Sequence, residues 1–189
     1  STSARALGYE YDLSELRVST IHGLCNSILQ QHRHRTPLGH GYEVLDELTQ
    51  LLFIFDNFDS IIGPERDGCY LGRWKSRWEA IERARAYFDK ITDELISPQA
   101  LMASEDEAIA LLGQAYLAYE KALCQHNRVD FAHLQSMTYS LLSDPDVGPG
   151  ISGSIKHLVV DEYQDTNYIQ EQLLLKLSGS TRSLCVVGD

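Results

Sequence analysis

The sequence predicts an α/β protein: a partial parallel sheet interrupted by a large all-helical insertion, mostly α by residue count. Three observations carry that expectation. The apolar run Leu158-Val159-Val160 ends abruptly in Asp161-Glu162-Tyr163-Gln164-Asp165-Thr166-Asn167, the pattern of a short buried strand that delivers two adjacent carboxylates at its carboxyl end and turns at once into a helix. A second apolar run, 184–187, follows that helix, and nearly continuous apolar strands on either side of a helix mark a parallel sheet covered on both faces. Ahead of them lies a block of about a hundred residues with helical periodicity.

In chain order, residues 16–20 read as a short strand, with β-branched Val18 and Thr20. The strand feeds a helix whose Ile21, Leu24, Cys25, Ile28 and Leu29 share one face. Pro37, Gly39 and Gly41 make 33–41 a boundary loop. Helical stretches are expected at 46–62, 71–96, 104–127 and 130–142, with Gly63-Pro64 and Ser97-Pro98 as stops. The run Ser143-Asp144-Pro145-Asp146-Val147-Gly148-Pro149-Gly150, extended by Ser152-Gly153-Ser154, is the strongest loop signal. Beyond it come a strand at 156–160, a helix at 167–177 and a strand at 184–187. The chain thus divides into 1–36 and 145–189, two parts of one α/β domain, and 37–144, a helical insertion. Two strands make a poor sheet alone, so the chain is expected to be an excised piece of a longer protein.

Composition narrows the function. The 189 residues carry 27 Asp and Glu against 16 Lys and Arg, a formal net charge of -11. That excludes a surface that is cationic throughout and leaves room only for a local nucleic-acid groove. One segment runs against the trend, Arg73-Trp74-Lys75-Ser76-Arg77-Trp78, continued by Arg83 and Arg85. Cations interleaved with tryptophans suit a base-stacking surface through Trp74 and Arg77; equally, Trp74 and Trp78 four apart suit one core-facing helix stripe. No run of about 18 apolar residues is present, so no membrane partner is expected. The opening Ser1-Thr2-Ser3-Ala4-Arg5 does not read as a signal peptide, and a cytoplasmic or nucleoid setting is expected. Cys25, Cys69, Cys124 and Cys185 are far apart and read as reduced core thiols. The pairs His22 with Cys25 and His32 with His34 lack further metal-ligand partners nearby.

The chemistry concentrates at Asp161 and Glu162. In open α/β sheets ligands sit at the carboxyl ends of strands. There one carboxylate holds magnesium, chiefly through water, and its neighbour orients the water that attacks a terminal phosphate. Gln164 and Asp165 follow on the same turn, and Thr166 or Asn167 caps the next helix.

The heptapeptide from Asp161 to Asn167, with Gln170 following, resembles the second motif of superfamily 1 DNA helicases of the UvrD, Rep and PcrA type. Val187-Gly188-Asp189 is similar to the start of their third motif, and Thr20-Ile21-His22 to their Thr-Phe-His motif. Val129-Asp130-Phe131 ahead of Leu134 resembles the Asp-Phe segment these proteins carry before the second motif. The resemblance implies a RecA-like motor domain with a helical insertion, ATP and Mg2+ as cofactors, and single-stranded DNA and its junction with duplex as partner. It also implies repair or recombination proteins as associates. Position by position, Asp161 would bind the magnesium of ATP and Glu162 would activate water. Gln164, Asp165 and Asp189 would couple nucleotide to DNA, and Thr20, His22 and Tyr163 would face the strand. Tyr163 replaces the commoner Phe, and Gly23 stands where Ser is frequent.

The phosphate loop G-x-x-x-x-G-K-[ST] does not occur in these residues. The expectation is therefore an ATP-dependent 3′-to-5′ helicase in the parent, and a chain that alone neither binds ATP tightly nor hydrolyses it. An alternative is a non-catalytic DNA-binding or protein-interaction module of motor ancestry. A metal-dependent nuclease at Asp161, Glu162 and Asp165 ranks below both, because paired-metal sites draw carboxylates from several elements.

Overall fold

A computed structural model describes residues 16–63 and 70–189; Cys69, Pro64 and the opening residues lie outside them. Polar caps punctuate the helical run. Thr20 caps α1 (Ile21–Gln31) by accepting the Gly23 N–H at 3.1 Å. Asp46 caps α2 (Glu47–Asp56), which leads into the short α3 (Phe58–Ile61). Ser76 caps α4 (Arg77–Asp93), Ser97 with Pro98 opens α5 (Pro98–Met102), and Asp106 caps α6 (Glu107–Gln125). Asp130 caps α7 (Phe131–Ser143). Each side-chain acceptor satisfies a backbone donor that the helix itself leaves orphaned.

The helical stretches fall where periodicity puts them, trimmed at their ends, except that 46–62 breaks at Asn57 into α2 and α3, and Ser97-Pro98, expected as a stop, instead opens α5. The block from 37 to 144 is not all-helical, however. It contains a parallel pair, β1 (Glu43–Leu45) with β2 (Arg128–Asp130), in the register Val44 to Val129. Three-residue strands carry too little alternation to be read from sequence. Residues 16–20 form no strand. All five are exposed, Val18 at 89%, and no strand among the described residues lies alongside to pair their backbone groups.

The expected loop after residue 143 contains a helix, α8 (Gly148–Gly153). Pro149 is tolerated in its first turn because no intrahelical donor is needed there. Gly148 is required at its start, since a Cβ there would run into the Leu142 carbonyl. The C-terminal unit is β3 (His157–Val160), a 3-10 turn (Tyr163–Asp165), α9 (Tyr168–Ser178) and β4 (Ser183–Val186). β3 and β4 are parallel with Val160 opposite Val186. The sheet is not covered on both faces: Val160 is buried and Leu158 half-buried, whereas Val159 is 70% exposed and β4 is exposed throughout.

Two apolar cores result. One joins α2, α3, α4 and α6, with Phe88 stacked on Tyr119 at 4.9 Å. The other joins α1, α7, α8 and α9 through Leu29, Leu134, Ile151 and Leu173. α7 packs against both α1 and α9, so it lies between the helix that carries Thr20 and His22 and the helix that follows the acidic turn. Of the cysteines, Cys25 is a core thiol pushed up to about 11 by burial. Cys124 and Cys185 are exposed, against expectation: each sits on the outward side of its element, which spacing alone does not reveal.

Candidate functional site

β3 delivers Asp161 and Glu162 at its carboxyl end, where both side chains are exposed. The chain turns there through a left-handed residue, Glu162, with φ 53 and ψ 41. A non-glycine residue in that region costs about 1–3 kcal/mol and persists only where its surroundings enforce it. Here three contacts do. The Glu162 N–H donates to Asp161 Oδ1 at 3.0 Å. The Tyr163 N–H donates to the Val187 carbonyl at 3.0 Å, tying the turn to the end of β4, and the Val187 N–H donates to the Val160 carbonyl at 2.8 Å. Asn167 and Gln170 then close a capping box on α9.

Gln164 is the bridge of the site. Its Nε2 donates to Glu162 Oε2 at 2.7 Å, and its Oε1 accepts the Asp189 N–H at 3.3 Å. One amide therefore links the expected water-activating carboxylate to the segment Gly188-Asp189. Gly188 makes this approach possible: a Cβ there would collide with Gln164 Oε1 and press on the Gln164 and Tyr163 nitrogens. Because Gln164 is a flexible exposed side chain, Gly188→Ala is expected to leave the melting temperature unchanged while pushing Gln164 off Glu162. For the nucleotide hydrolysis that the motif resemblance implies in a longer protein, turnover should fall roughly tenfold to hundredfold with little change in nucleotide KM, the usual cost of a misplaced group at the reacting centre. Equal kcat in the variant would show that the bridge is idle.

The donor set can be tested against magnesium. Asp161 gives one oxygen to the Glu162 N–H, leaving the other free at an exposed position. Among the described residues no three His, Cys, Asp or Glu side chains are grouped to hold a metal. Magnesium bound through one carboxylate, with waters and phosphates completing its shell, fits such a donor; an all-protein cage does not. Asp165, exposed on the 3-10 turn, donates its N–H to the Glu162 carbonyl. The Tyr163 ring is half-buried, its hydroxyl donating to Glu171 Oε1 at 3.0 Å.

Thr20 and His22 lie elsewhere, on the first turn of α1 beside α7. The Thr20 hydroxyl is engaged as the cap. His22 is half-buried, and burial pushes its imidazole below the usual value. Its ring lies 4.8 Å from that of Phe131, and its Nε2 is 3.1 Å from Gln135 Nε2. Trp74 packs half-buried against the other core, and Arg77 lies exposed at its edge. Trp74 precedes α4 and so shares no helix stripe with Trp78; it meets Phe58 edge-on at 6.1 Å, its Nε1 buried without a hydrogen-bond partner. Trp78 is 37% exposed and donates to Glu82. Arg77 lies over Phe58 and pairs with Asp59 at 3.6 Å.

A buried polar cluster behind the site was not foreseen as a unit. Asp130, 1% exposed, accepts the Tyr119 hydroxyl at 2.6 Å, the His133 backbone N–H at 2.7 Å, His133 Nδ1 at 2.9 Å and Gln50 Nε2 at 3.3 Å. Gln50 also donates to Asp89, whose carboxyl burial pushes up to about 6. Farther along α4, burial raises Asp93, and a side-chain hydrogen bond with Asn167, the cap of α9, partly offsets the shift. The helical core thus touches the element that follows the acidic turn. The spacing Asp130 to His133, a cap followed three residues later by a second titratable group, was the one signal available in sequence.

Comparison with known proteins gives the family. The UvrD/REP helicase N-terminal domain family matches residues 2–189. The chain is similar to the ATP-dependent DNA helicase SRS2 of Saccharomyces cerevisiae, with 26% identity over 96% of this chain and 16% of that protein. DNA helicase II of Escherichia coli is 27% identical over 91% of this chain and 22% of its own length. The ATP-dependent DNA helicase PcrA of Staphylococcus aureus matches at 27% over the same shares. The chain therefore spans about a fifth of the length of these relatives. Matched along nearly all of its residues, it belongs to the UvrD/REP helicase N-terminal domain family.

Proposed function

We propose that the chain is part of an ATP-dependent DNA helicase that moves 3′ to 5′ on single-stranded DNA and opens the duplex at the junction. The observation that carries this reading is the bridge from Glu162 through Gln164 to Asp189 at the carboxyl ends of two parallel strands. In it Asp161 would hold the magnesium of ATP, whose charge offsets that developing on the transferred phosphoryl group. Glu162 takes the proton of the attacking water. Gln164 fixes the orientation of Glu162 and transmits any shift of that carboxylate to Gly188-Asp189, with Asp165 on the same turn. Thr20 and His22 face the strand from α1, while Tyr163 supports the turn through Glu171.

The domain reading goes with it: 1–36 and 145–189 as parts of a RecA-like motor domain and 37–144 as an insertion. Arg77, exposed at the start of α4, would touch DNA at the edge of that insertion, with Trp74 supporting that edge from the core side through Phe58. The mixed second core, in which α7 joins α1 and α9, favours counting α7 with the motor domain. The setting would be the cytoplasm and its nucleoid, with repair or recombination proteins as associates.

The test is single-strand-stimulated ATP hydrolysis by the longer protein, with unwinding assayed on duplexes bearing a 3′ or a 5′ tail. Stimulated hydrolysis with unwinding from the 3′ tail is expected. Preference for the 5′ tail would overturn the polarity, and DNA binding without turnover would favour the non-catalytic module. Titrating Mg-ATP into the 189-residue chain should give no micromolar binding, since its residues contain no phosphate loop.

A further inference from the structure

α4 ends on Asp93, and Asn167 stands immediately before α9. The two helices pack against each other, and where they meet Asp93 and Asn167, both half-buried, share a side-chain hydrogen bond. Its direction follows from valence. Asn167 Oδ1 already accepts the Gln170 N–H at 3.1 Å as the cap of α9, and an ionised carboxylate can only accept, so Asn167 Nδ2 donates to Asp93. One amide is thus engaged at both ends, with the helix it caps and with the helical block.

The place is unfavourable for a charge. Burial pushes the Asp93 carboxyl up, the Asn167 bond is the strongest influence the other way, and of the nearby charges Asp130 and Glu94 raise it while Lys90 lowers it. An acid that ionises less readily folded than unfolded subtracts from stability at neutral pH, so the stability of the core does not account for Asp93. What the side chain does reach is the acidic turn. From Glu162 to Asn167 that turn is bonded to itself: the Asp165 N–H donates to the Glu162 carbonyl at 3.0 Å, and the Thr166 N–H and hydroxyl donate to the Tyr163 carbonyl at 3.2 and 2.8 Å. Such a turn moves as one piece. The Val187 carbonyl ties its beginning to the end of β4, and Asp93 ties its end to the helical block.

We infer that Asp93 is a positioning residue for nucleotide hydrolysis: through Asn167 it sets the acidic turn against the helical block and so fixes where Glu162 points. This deepens the helicase reading and rests on it. Asp93 itself touches neither nucleotide nor water. α4 is one 17-residue helix with Arg77 at its other end, so a displacement of that exposed end is carried to the turn by the whole helix.

The experiment measures kcat and nucleotide KM for single-strand-stimulated ATP hydrolysis by the longer protein, with a thermal melt of each variant. Asp93→Ala removes the acceptor; kcat should fall about tenfold with KM unchanged, while the melting temperature holds or rises. Asp93→Asn keeps an oxygen for Asn167 Nδ2 and should retain most of kcat. Asn167→Asp keeps the cap oxygen for the Gln170 N–H but sets a second carboxylate against Asp93, and should lower kcat as Asp93→Ala does. Combining it with Asp93→Asn reverses donor and acceptor across the same contact and should recover kcat. Unchanged kcat in Asp93→Ala, a loss of kcat that tracks a lower melting temperature, or a folded double variant that recovers nothing would overturn the inference and leave the helicase reading standing. If wild type shows no stimulated hydrolysis, both fall together. Should Asn167→Asp fail to fold, the comparison of Asp93→Ala with Asp93→Asn decides the question by the same readouts.

Discussion

Glu162→Gln is expected to reduce single-strand-stimulated ATP hydrolysis in the longer protein by two to four orders of magnitude, roughly the worth of a positioned general base. Nucleotide and DNA binding should survive. The substitution is nearly isosteric, and the amide oxygen that replaces Oε2 still accepts from Gln164 Nε2, a bond of 2.7 Å in the native chain. The left-handed backbone at residue 162 is held by Asp161 and by Val187 through Tyr163, not by the lost charge. What disappears is the capacity to take a proton. Turnover equal to wild type, with binding intact, would remove Glu162 from the chemistry.

The second large effect concerns stability. Asp130 and His133 form an ion pair buried on both sides, at 2.9 Å. Burial alone would strip His133 of its charge, yet the Asp130 carboxylate, with Glu120 3.5 Å from Nε2, raises it to about 10. Burial likewise opposes the Asp130 charge, and His133, its backbone N–H and the Tyr119 hydroxyl overcome it, so the carboxyl is held below its usual value. His133 therefore binds its proton more tightly folded than unfolded. Its contribution is complete below its ordinary value of 6.5 and is lost as pH rises through about 10. The Asp130 contribution is present above its ordinary 3.8 and is lost as pH falls through the depressed value.

His133→Gln should accordingly destabilise the chain by about 3–5 kcal/mol near pH 6, because Asp130 is left buried without its cation. The deficit should shrink towards pH 10, where the wild type has itself lost the charge. Denaturant unfolding of both proteins at the two pH values measures this, and the wild-type-minus-variant difference removes the titration of Asp89 and the exposed groups. A difference that does not change with pH would mean the pair is neutral in the native state.

Some of this molecule was legible before its fold. Local rules suffice for a cap: Thr20, Asp46, Ser76, Asp106 and Asn167 each bond a donor two or three residues away, so periodicity plus caps locates the helices. The acidic turn was legible for a related reason, since Asp161 through Asn167 lie on one contiguous stretch between an apolar run and a helix. The short strands β1 and β2 were not, because their pairing joins residues 43–45 to 128–130 across the whole helical block. The helix α8 was hidden by glycines and prolines, and its formation depends on Gly148 meeting the carbonyl of Leu142 on another helix. Trp74 was open to two readings, and packing on Phe58 places it against the helical core.

By itself the sequence determined the family motifs, where the long helices α1, α2, α4, α6, α7 and α9 lie, and which residue types stand at the end of β3, because these depend on neighbours along the chain. Only the tertiary structure decided that Gln164 reaches both Glu162 and Asp189, that Gln135 holds His22 from 113 residues away, and that Asp130 gathers donors from α2 and α6 as well as from the helix it caps. The physical reason is that a hydrogen bond or a ring contact is satisfied in space. Its partner is chosen by how helices pack, and the pattern of a single segment carries no record of that choice.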